Sequence, residues 1–497
     1  MIKLENVTYR YTDSSRPALQ NISLEIKPGE AVCVMGANGS GKSTFAKLLA
    51  GLIEVQQGQL KITNTTSKPI PVGMIFQNPD NQMVAVTVEK ELAFALENLG
   101  MPQREMELLI SENLGKFKLA HLRQRLTSEL SGGEKQRVAL ASVMIFQPDI
   151  LVLDEPDSFL DEEGKAALRM ELDNIRKQRP SMVQIHISQY PYVAYQYDRL
   201  LVFDRGEIIA DDEPRTILNN IELCDRAGLC YPDVSTKRVI VPGHGDTERD
   251  RRAVRLTAIK ADAVRFAYTE EADILRNLTF DFKAGEIVGV VGLSGSGKST
   301  LGNLLCALLE PTAGRISYLA HDGEDIDSEK LRGSVTGVFQ QPERQFFLPT
   351  CLEEVNFGPE NFGRTPAEQQ SKAFFAMVGL EADTFGSRDP FSLSGGEKRR
   401  LAFAAVLSMS PRFVVFDEPT CGLDPEGVGR FIALAKALKD MGTGLVIISH
   451  DGQVIHSLAE HIIYLRNDAS NLVLSPTEFF GNPQYRRVVS PLSNQPA

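Results

Sequence analysis

Two stretches of this chain have the residue types and spacing to hold a phosphate chain. "GANGSGKST", Gly36 to Thr44, and "GLSGSGKST", Gly292 to Thr300, both fit G-x-x-x-x-G-K-[ST]. Glycines let successive backbone N–H groups curl round phosphate oxygens, and a following helix adds its positive N-terminus. The predicted nucleotide contacts are therefore Gly36, Ala37, Asn38, Gly39, Ser40, Gly41, Lys42, Ser43 and Thr44. The second set is Gly292, Leu293, Ser294, Gly295, Ser296, Gly297, Lys298, Ser299 and Thr300. Lys42 and Lys298 would reach the β- and γ-phosphates, and Ser43 and Ser299 a Mg²⁺ ion.

"LVLDE" and "VVFDE" each set two carboxylates at the end of an apolar run. Asp154 and Asp417 would hold Mg²⁺, directly or through water, and Glu155 and Glu418 would polarise an attacking water. An acidic strand end can also be a helix cap or a solvated turn. The position after a phosphate loop favours the catalytic reading. "LSGGE" occurs twice, at Ser131, Gly132 and Gly133 and at Ser394, Gly395 and Gly396. Serine hydroxyl, glycine N–H groups and a helix dipole make an anion site, although the same serine can serve as an N-cap. "VQIHISQY" and "LVIISHDG" share an apolar run and a Ser, then diverge: Gln189 stands where the second copy has His450.

These groups need elements to position them, and the elements also come in two copies. Lys298 follows Lys42 by 256 residues; Ser394 follows Ser131, and Asp417 follows Asp154, by 263. The halves are a duplicated domain. The boundaries read as 1–220 for the first domain, 221–255 for a charged, Gly-containing linker, 256–482 for the second domain and 483–497 for a tail. "AVCVMG" and "ILVLDE" read as buried parallel strands. After Lys42, the apolar residues Phe45, Leu48, Leu49 and Leu52 mark one helix face. The fold class is α/β with a mainly parallel sheet in each half.

The chain has 497 residues, 42% hydrophobic and 24% charged, with net charge -12. That balance is ordinary for a globular protein and argues against bulk electrostatic binding of nucleic acid. No apolar run is long enough to span a membrane. The six cysteines lack zinc spacing and read as free thiols in a reducing compartment.

Phosphate loop, "FQ" loop, "LSGGE", "DEP", "LD" and a switch His together resemble two ATP-binding-cassette ATPase domains fused head to tail. The resemblance implies P-loop ATPase domains in tandem, each with an α-helical signature subdomain and an antiparallel β subdomain. It implies ATP and Mg²⁺ as cofactors, and two halves that pair so that each ATP meets the "LSGGE" of the other half. By the same resemblance Tyr11 and Tyr268 stack on adenine, Gln77 and Gln340 touch Mg²⁺, and Asp161 and Asp424 link the sites. For Tyr9 and Phe266 a core role is equally open. In such a family the switch His contacts the γ-phosphate. Gln189 can donate a hydrogen bond but stays neutral, and losing a charged donor in a transition state commonly costs about 2–4 kcal/mol. Slow turnover is therefore expected with Gln189 and full turnover with His450. Strand alternation places His186 opposite Gln189.

The segments "NPDNQMVAVTVEKELAF" and "QPERQFFLPTCLEEVNFG" resemble those of energy-coupling factor and cobalt/nickel transporter ATPases. There they receive a membrane scaffold, which makes Asp80 and Glu343 candidate acceptors for its basic residues. The implied partners are that scaffold and a separate substrate-binding membrane subunit, with the chain peripheral on the cytoplasmic face of the cell membrane. The implied cargo is a vitamin, a vitamin precursor or a metal ion. A sugar-type importer ATPase and a soluble ribosome-associated cassette are the alternatives. The first usually has a degenerate second phosphate loop, and the second a long basic linker.

Overall fold

The computed structural model describes residues 1–12, 16–63, 71–158, 160–229, 239, 241–242, 256–269, 272–331, 333–364 and 366–490. The chain forms two compact units, the first Met1–Tyr231 and the second Pro232–Leu423 with Gly427–Ala497.

In the first unit the apolar runs become the centre of a six-stranded sheet. Its order is Val72–Ile75, Ile150–Asp154, Val183–Ile187, Ala31–Met35, Arg199–Asp204 and Glu207–Asp212. The first five strands are parallel and the last is antiparallel. Every residue of Ala31–Met35 and Ile150–Asp154 is buried, as continuous apolar runs in a doubly covered sheet require. An antiparallel sheet of Leu19–Ile26, Ile2–Tyr9 and Gln57–Ile62 shares a core with the large sheet and with Phe45, Leu48 and Leu49. The helix Lys42–Leu49 ends before Leu52, which is 55% exposed, so the expected apolar face is one residue shorter. Helices Val88–Asn98, Gln103–Lys116 and Gly132–Met144 pack in a second core.

The second unit repeats this plan. Its large sheet runs Val335–Val338, Phe413–Asp417, Gly444–Ile448, Ile287–Val291, His461–Leu465 and Asn471–Leu474. Leu275–Lys283, Leu256–Phe266 and Ala313–Ala320 form the antiparallel sheet.

Two segments differ from expectation. The stretch 221–255 begins as a helix, Ile221–Arg226, and Cys224, Ala227 and Leu229 enter the core of the first unit. Six residues are too few to show a helical period in sequence. Most of the remaining linker lies outside the described residues. The tail at 483–497 likewise begins with a helix, Pro483–Arg486, and Val488 and Val489 are each only 4% exposed. Residues 491–497 lie outside the described ones. Five of the six cysteines are described, and none of the five is in a disulfide; Cys33, Cys224 and Cys351 are buried.

Candidate functional site

Each phosphate loop joins a buried strand to a helix whose N-cap is a glycine in the left-handed region. Gly41 has φ 109° and Gly297 φ 92°, and no side chain caps either helix. The first-turn N–H groups are therefore left for an anion. Close packing enforces the loop entry: a Cβ on Gly36 would lie 2.2 Å from the Phe203 carbonyl oxygen, and one on Gly292 2.3 Å from that of Leu465. Lys42 is buried inside its loop, where Nζ donates to the Gly36 and Ala37 carbonyls at 2.8 and 2.9 Å. Lys298 does the same to Gly292 and Leu293, both at 2.8 Å. Burial pulls the Lys42 ammonium below its usual range, and Glu155 and Asp154 oppose that shift.

Ser43 donates to Asp154 Oδ1 at 3.2 Å, so the paired hydroxyl and carboxylate lie at the loop. Ser299 likewise bonds Asp417, whose carboxyl is pushed up to about 6, chiefly by burial. Burial also raises Asp154. Buried acids beside an uncapped helix N-terminus fit a divalent cation with a phosphate chain, since hydroxyl and carboxylate oxygens suit Mg²⁺. Tyr11 and Tyr268 stand at the rim, 38% and 62% exposed, with hydroxyls 3.4 and 3.3 Å from Thr44 and Thr300. Phe266 is a buried core residue, while its neighbour Tyr268 offers a face.

Among the described residues, Glu155 and Glu418 are the two acids with strained backbones, at φ 48° and 50°. Left-handed conformations cost non-glycine residues energy and persist where surrounding structure imposes them, commonly at functional sites. Glu155 is tied by three donors. Gln189 Nε2 reaches Oε1 at 2.7 Å, Gln77 Nε2 reaches Oε2 at 2.8 Å and Ser158 Oγ reaches Oε2 at 3.2 Å. Burial raises its carboxyl to about 7, with Lys42 opposing. The Gln189 amide also donates to Asn38 Oδ1 at 3.1 Å, bridging phosphate loop and acid. In the second unit His450 takes the equivalent place at longer range. Its backbone N–H is 3.4 Å from Glu418 Oε2 and its Nε2 is 3.5 Å from Oε1. His186 is elsewhere, buried with Nδ1 2.5 Å from the Tyr197 hydroxyl, and burial pulls its imidazole below the usual range.

Ser131 and Ser394 open the helices Gly132–Met144 and Gly395–Leu407 as N-caps in full capping boxes. Each hydroxyl donates to its own Glu134 or Glu397 at 2.8 Å. The capping role is thus realised in both. An anion there would compete with the glutamate.

The ABC transporter family pattern matches residues 19–158 and 275–421. The chain belongs to the ABC transporter family, with the ATPase domain present twice. A provisionally named ABC transporter ATP-binding protein of Caldanaerobacter subterraneus subsp. tengcongensis is 30% identical over 94% of this chain and 90% of its own. A Bacillus subtilis (strain 168) protein, provisionally named HMP/thiamine import ATP-binding protein, is 29% identical over 97% of this chain and 92% of its own. Among solved structures, a chain in a model of ribosome-bound archaeal Pelota and ABCE1 covers 95% of this chain and 79% of its own. That match has a TM-score of 0.68 at 20% identity and shows the fold alone.

Within this tandem ABC ATPase three features lay beyond the sequence reading. Arg399, 5% exposed, joins three carbonyls: Nη1 donates to Glu418 at 2.8 Å and to Cys421, and Nη2 to Gln340 at 3.0 Å. It thereby ties the signature helix to the backbone beside the acid and the "FQ" loop. The first half has Gln136 there, and its Nε2 finds no hydrogen-bond partner among the described residues. That Gln-to-Arg difference between repeats was the available signal. Glu91 and Glu354, buried, each hold two successive loop amides, Val84 and Ala85 at 3.0 and 2.7 Å and Phe347 and Leu348 both at 2.6 Å. Finally, Asp80 already has a partner within the chain: Lys135 of the signature helix sits 2.5 Å from its Oδ1, while the Asp80 side chain stays 44% exposed. A carboxylate facing a nearby ammonium pairs within the chain first. The side chain of Glu343 lies outside the described ones. Asp161 caps Glu162–Gln178, accepting from the Gly164 N–H at 2.8 Å, and Asp424 precedes the helix Pro425–Asp440.

Proposed function

We propose that this tandem ABC ATPase is the ATP-hydrolysing subunit of an energy-coupling factor type importer. It would drive uptake of a vitamin, vitamin precursor or metal ion through separate membrane proteins, from the cytoplasmic face. The observation that carries this reading is an exposed apolar surface beside each "FQ" loop. In the first unit Val84, Val86 and Phe94 are 62%, 64% and 46% exposed. In the second, Phe347 and Phe391 are 61% and 53% exposed, and the Phe347 and Phe357 rings meet edge-on at 4.7 Å. Apolar side chains left in water together mark an interaction surface. Glu91 and Glu354 fix the loops that present them, which is the work of a preformed dock. Among the described residues no helix is long and apolar enough to cross a membrane, so membrane coupling needs such a dock. The Bacillus subtilis relative's import name points the same way.

At each site the loop amides and Lys42 or Lys298 would bind the β- and γ-phosphates, and Tyr11 or Tyr268 the adenine. Ser43, Gln77 and Asp154, or Ser299, Gln340 and Asp417, would hold Mg²⁺, which screens the phosphate charge. Glu155 and Glu418 would orient and deprotonate water. Gln189 and His450 hold those acids. The sites are unequal: Glu155 starts with a raised pKa beside a neutral amide, whereas Glu418 faces an imidazole that can carry charge. The His450 site is the one that turns over.

Purification of the tagged chain from its own membranes tests the partner. An apolar scaffold and a substrate-binding membrane protein should come with it. Val86→Asp with Phe347→Asp should release both and leave basal ATPase unchanged. Ribosomes in their place, or retention by the double variant, would refute the dock.

A further inference from the structure

We propose that the strap Val488–Ser490 positions His450, fixing the ring so that Nε2 alone faces Glu418. The inference rests on the reading of His450 as the switch residue. The Val488 carbonyl oxygen lies 3.2 Å from His450 Nδ1. A carbonyl only accepts, so Nδ1 carries the proton in this pair, and the neutral ring is the Nδ1–H tautomer. Nε2, 3.5 Å from Glu418 Oε1, is then the nitrogen that takes up a proton on the reacting side, and it donates toward Glu418 once the ring is charged.

The strap is held at both ends of that contact. The Ser490 N–H donates to the His450 carbonyl at 2.7 Å, and Ser490 Oγ accepts from the Gly452 N–H at 3.0 Å. Gly452 is needed for so close an approach: a Cβ there would lie 2.2 Å from the Ser490 carbonyl oxygen. Val488 and Val489 anchor the strap by burial, each 4% exposed. One backbone–backbone bond and two bonds between a side chain and the backbone thus bracket the switch residue, from a segment 38 positions further along the chain.

The first half supplies a contrast. Its corresponding stretch ends with Gly228 against Ala37, where a Cβ would come within 3.2 Å of the Ala37 Cβ. Gln189 is held instead by Asn38 and Glu155. An amide has one orientation that serves both bonds and needs no tautomer chosen for it. An imidazole does, and it is the imidazole that the strap grips.

Deletion of residues 488–497 tests this in the full chain. Loss of one hydrogen bond that orients a reacting group should lower kcat roughly three- to tenfold, with KM for ATP unchanged. The same deletion in a His450→Gln background should cost nothing further, because the strap acts through the ring. ¹⁵N shifts of the His450 ring, at a pH where imidazole is neutral, should report the Nδ1–H tautomer in the intact chain and lose it in the deletion. An equal loss in both backgrounds, no loss in either, or an Nε2–H tautomer in the intact chain overturns the proposal. If the deletion fails to fold, Ser490→Pro, which removes the N–H to His450 and the Oγ that accepts from the Gly452 N–H but leaves the Val488 carbonyl, takes its place in both measurements. If His450→Gln itself leaves ATPase untouched, the switch reading fails, and the tautomer still decides the strap.

Discussion

Arg399→Met should unfasten the second catalytic unit from its signature helix. The guanidinium is buried and donates three bonds to the carbonyls of Glu418, Cys421 and Gln340. Methionine keeps much of the volume and none of the donors. A buried carbonyl left unpaired costs about 1–3 kcal/mol, and removing the buried charge returns part of that. The Glu418 carbonyl keeps the Cys421 N–H at 3.3 Å, so the net loss should be about 2–4 kcal/mol, a large share of the roughly 5–15 kcal/mol that holds a domain together. Gln136→Met is the internal control, since Gln136 Nε2 has no partner to lose among the described residues. Urea unfolding, with hydrogen exchange read at residues 340, 418, 420 and 421, measures both. Arg399→Met should lower the transition of the second unit and deprotect those amides, and Gln136→Met should move the first unit by less than about 1 kcal/mol. Equal effects, or none from Arg399→Met, would refute the tethering role.

Other consequences follow from the same geometry. Glu155 has its pKa raised from 4.5 to about 7, so the fold favours its protonated form. The stability this contributes is fully present below pH 4.5 and is lost as pH rises through about 7. The difference is on the order of 3 kcal/mol. Nucleotide-free wild type should therefore lose stability relative to Glu155→Gln across that window, and a constant difference in melting temperature would contradict the burial argument. Tyr268→Ala should raise KM for ATP several-fold with kcat retained, because the exposed ring would bind ground and transition state alike. Gly452→Ala should lower kcat by pushing the strap off His450, as the added Cβ would stand 2.2 Å from Ser490.

Much of this architecture was readable from residue order. Continuous apolar runs, bounded by glycines in one case and by prolines in the other, marked the buried strands Ala31–Met35 and Ile150–Asp154, and the paired acids fell at the strand end as expected. Ser131 and Ser394 stood at helix starts because small polar residues followed by Glu three places on form capping boxes. Other features depend on contacts that sequence spacing does not encode. Arg399 reads as one more charge on a helix until its partners are seen. Glu91 and Glu354 look solvated but turn inward to serve loop amides. The strap at Val488–Ser490 follows a four-residue helix with no period to detect, and its partner is a backbone group.

The unequal sites are the central claim, and one paired measurement tests it. Steady-state ATPase of Glu155→Gln and Glu418→Gln, at saturating Mg-ATP, asks which acid carries turnover. Glu418→Gln should lower kcat by at least about 100-fold, and Glu155→Gln should leave most of it. Matching losses in the two variants would contradict the account.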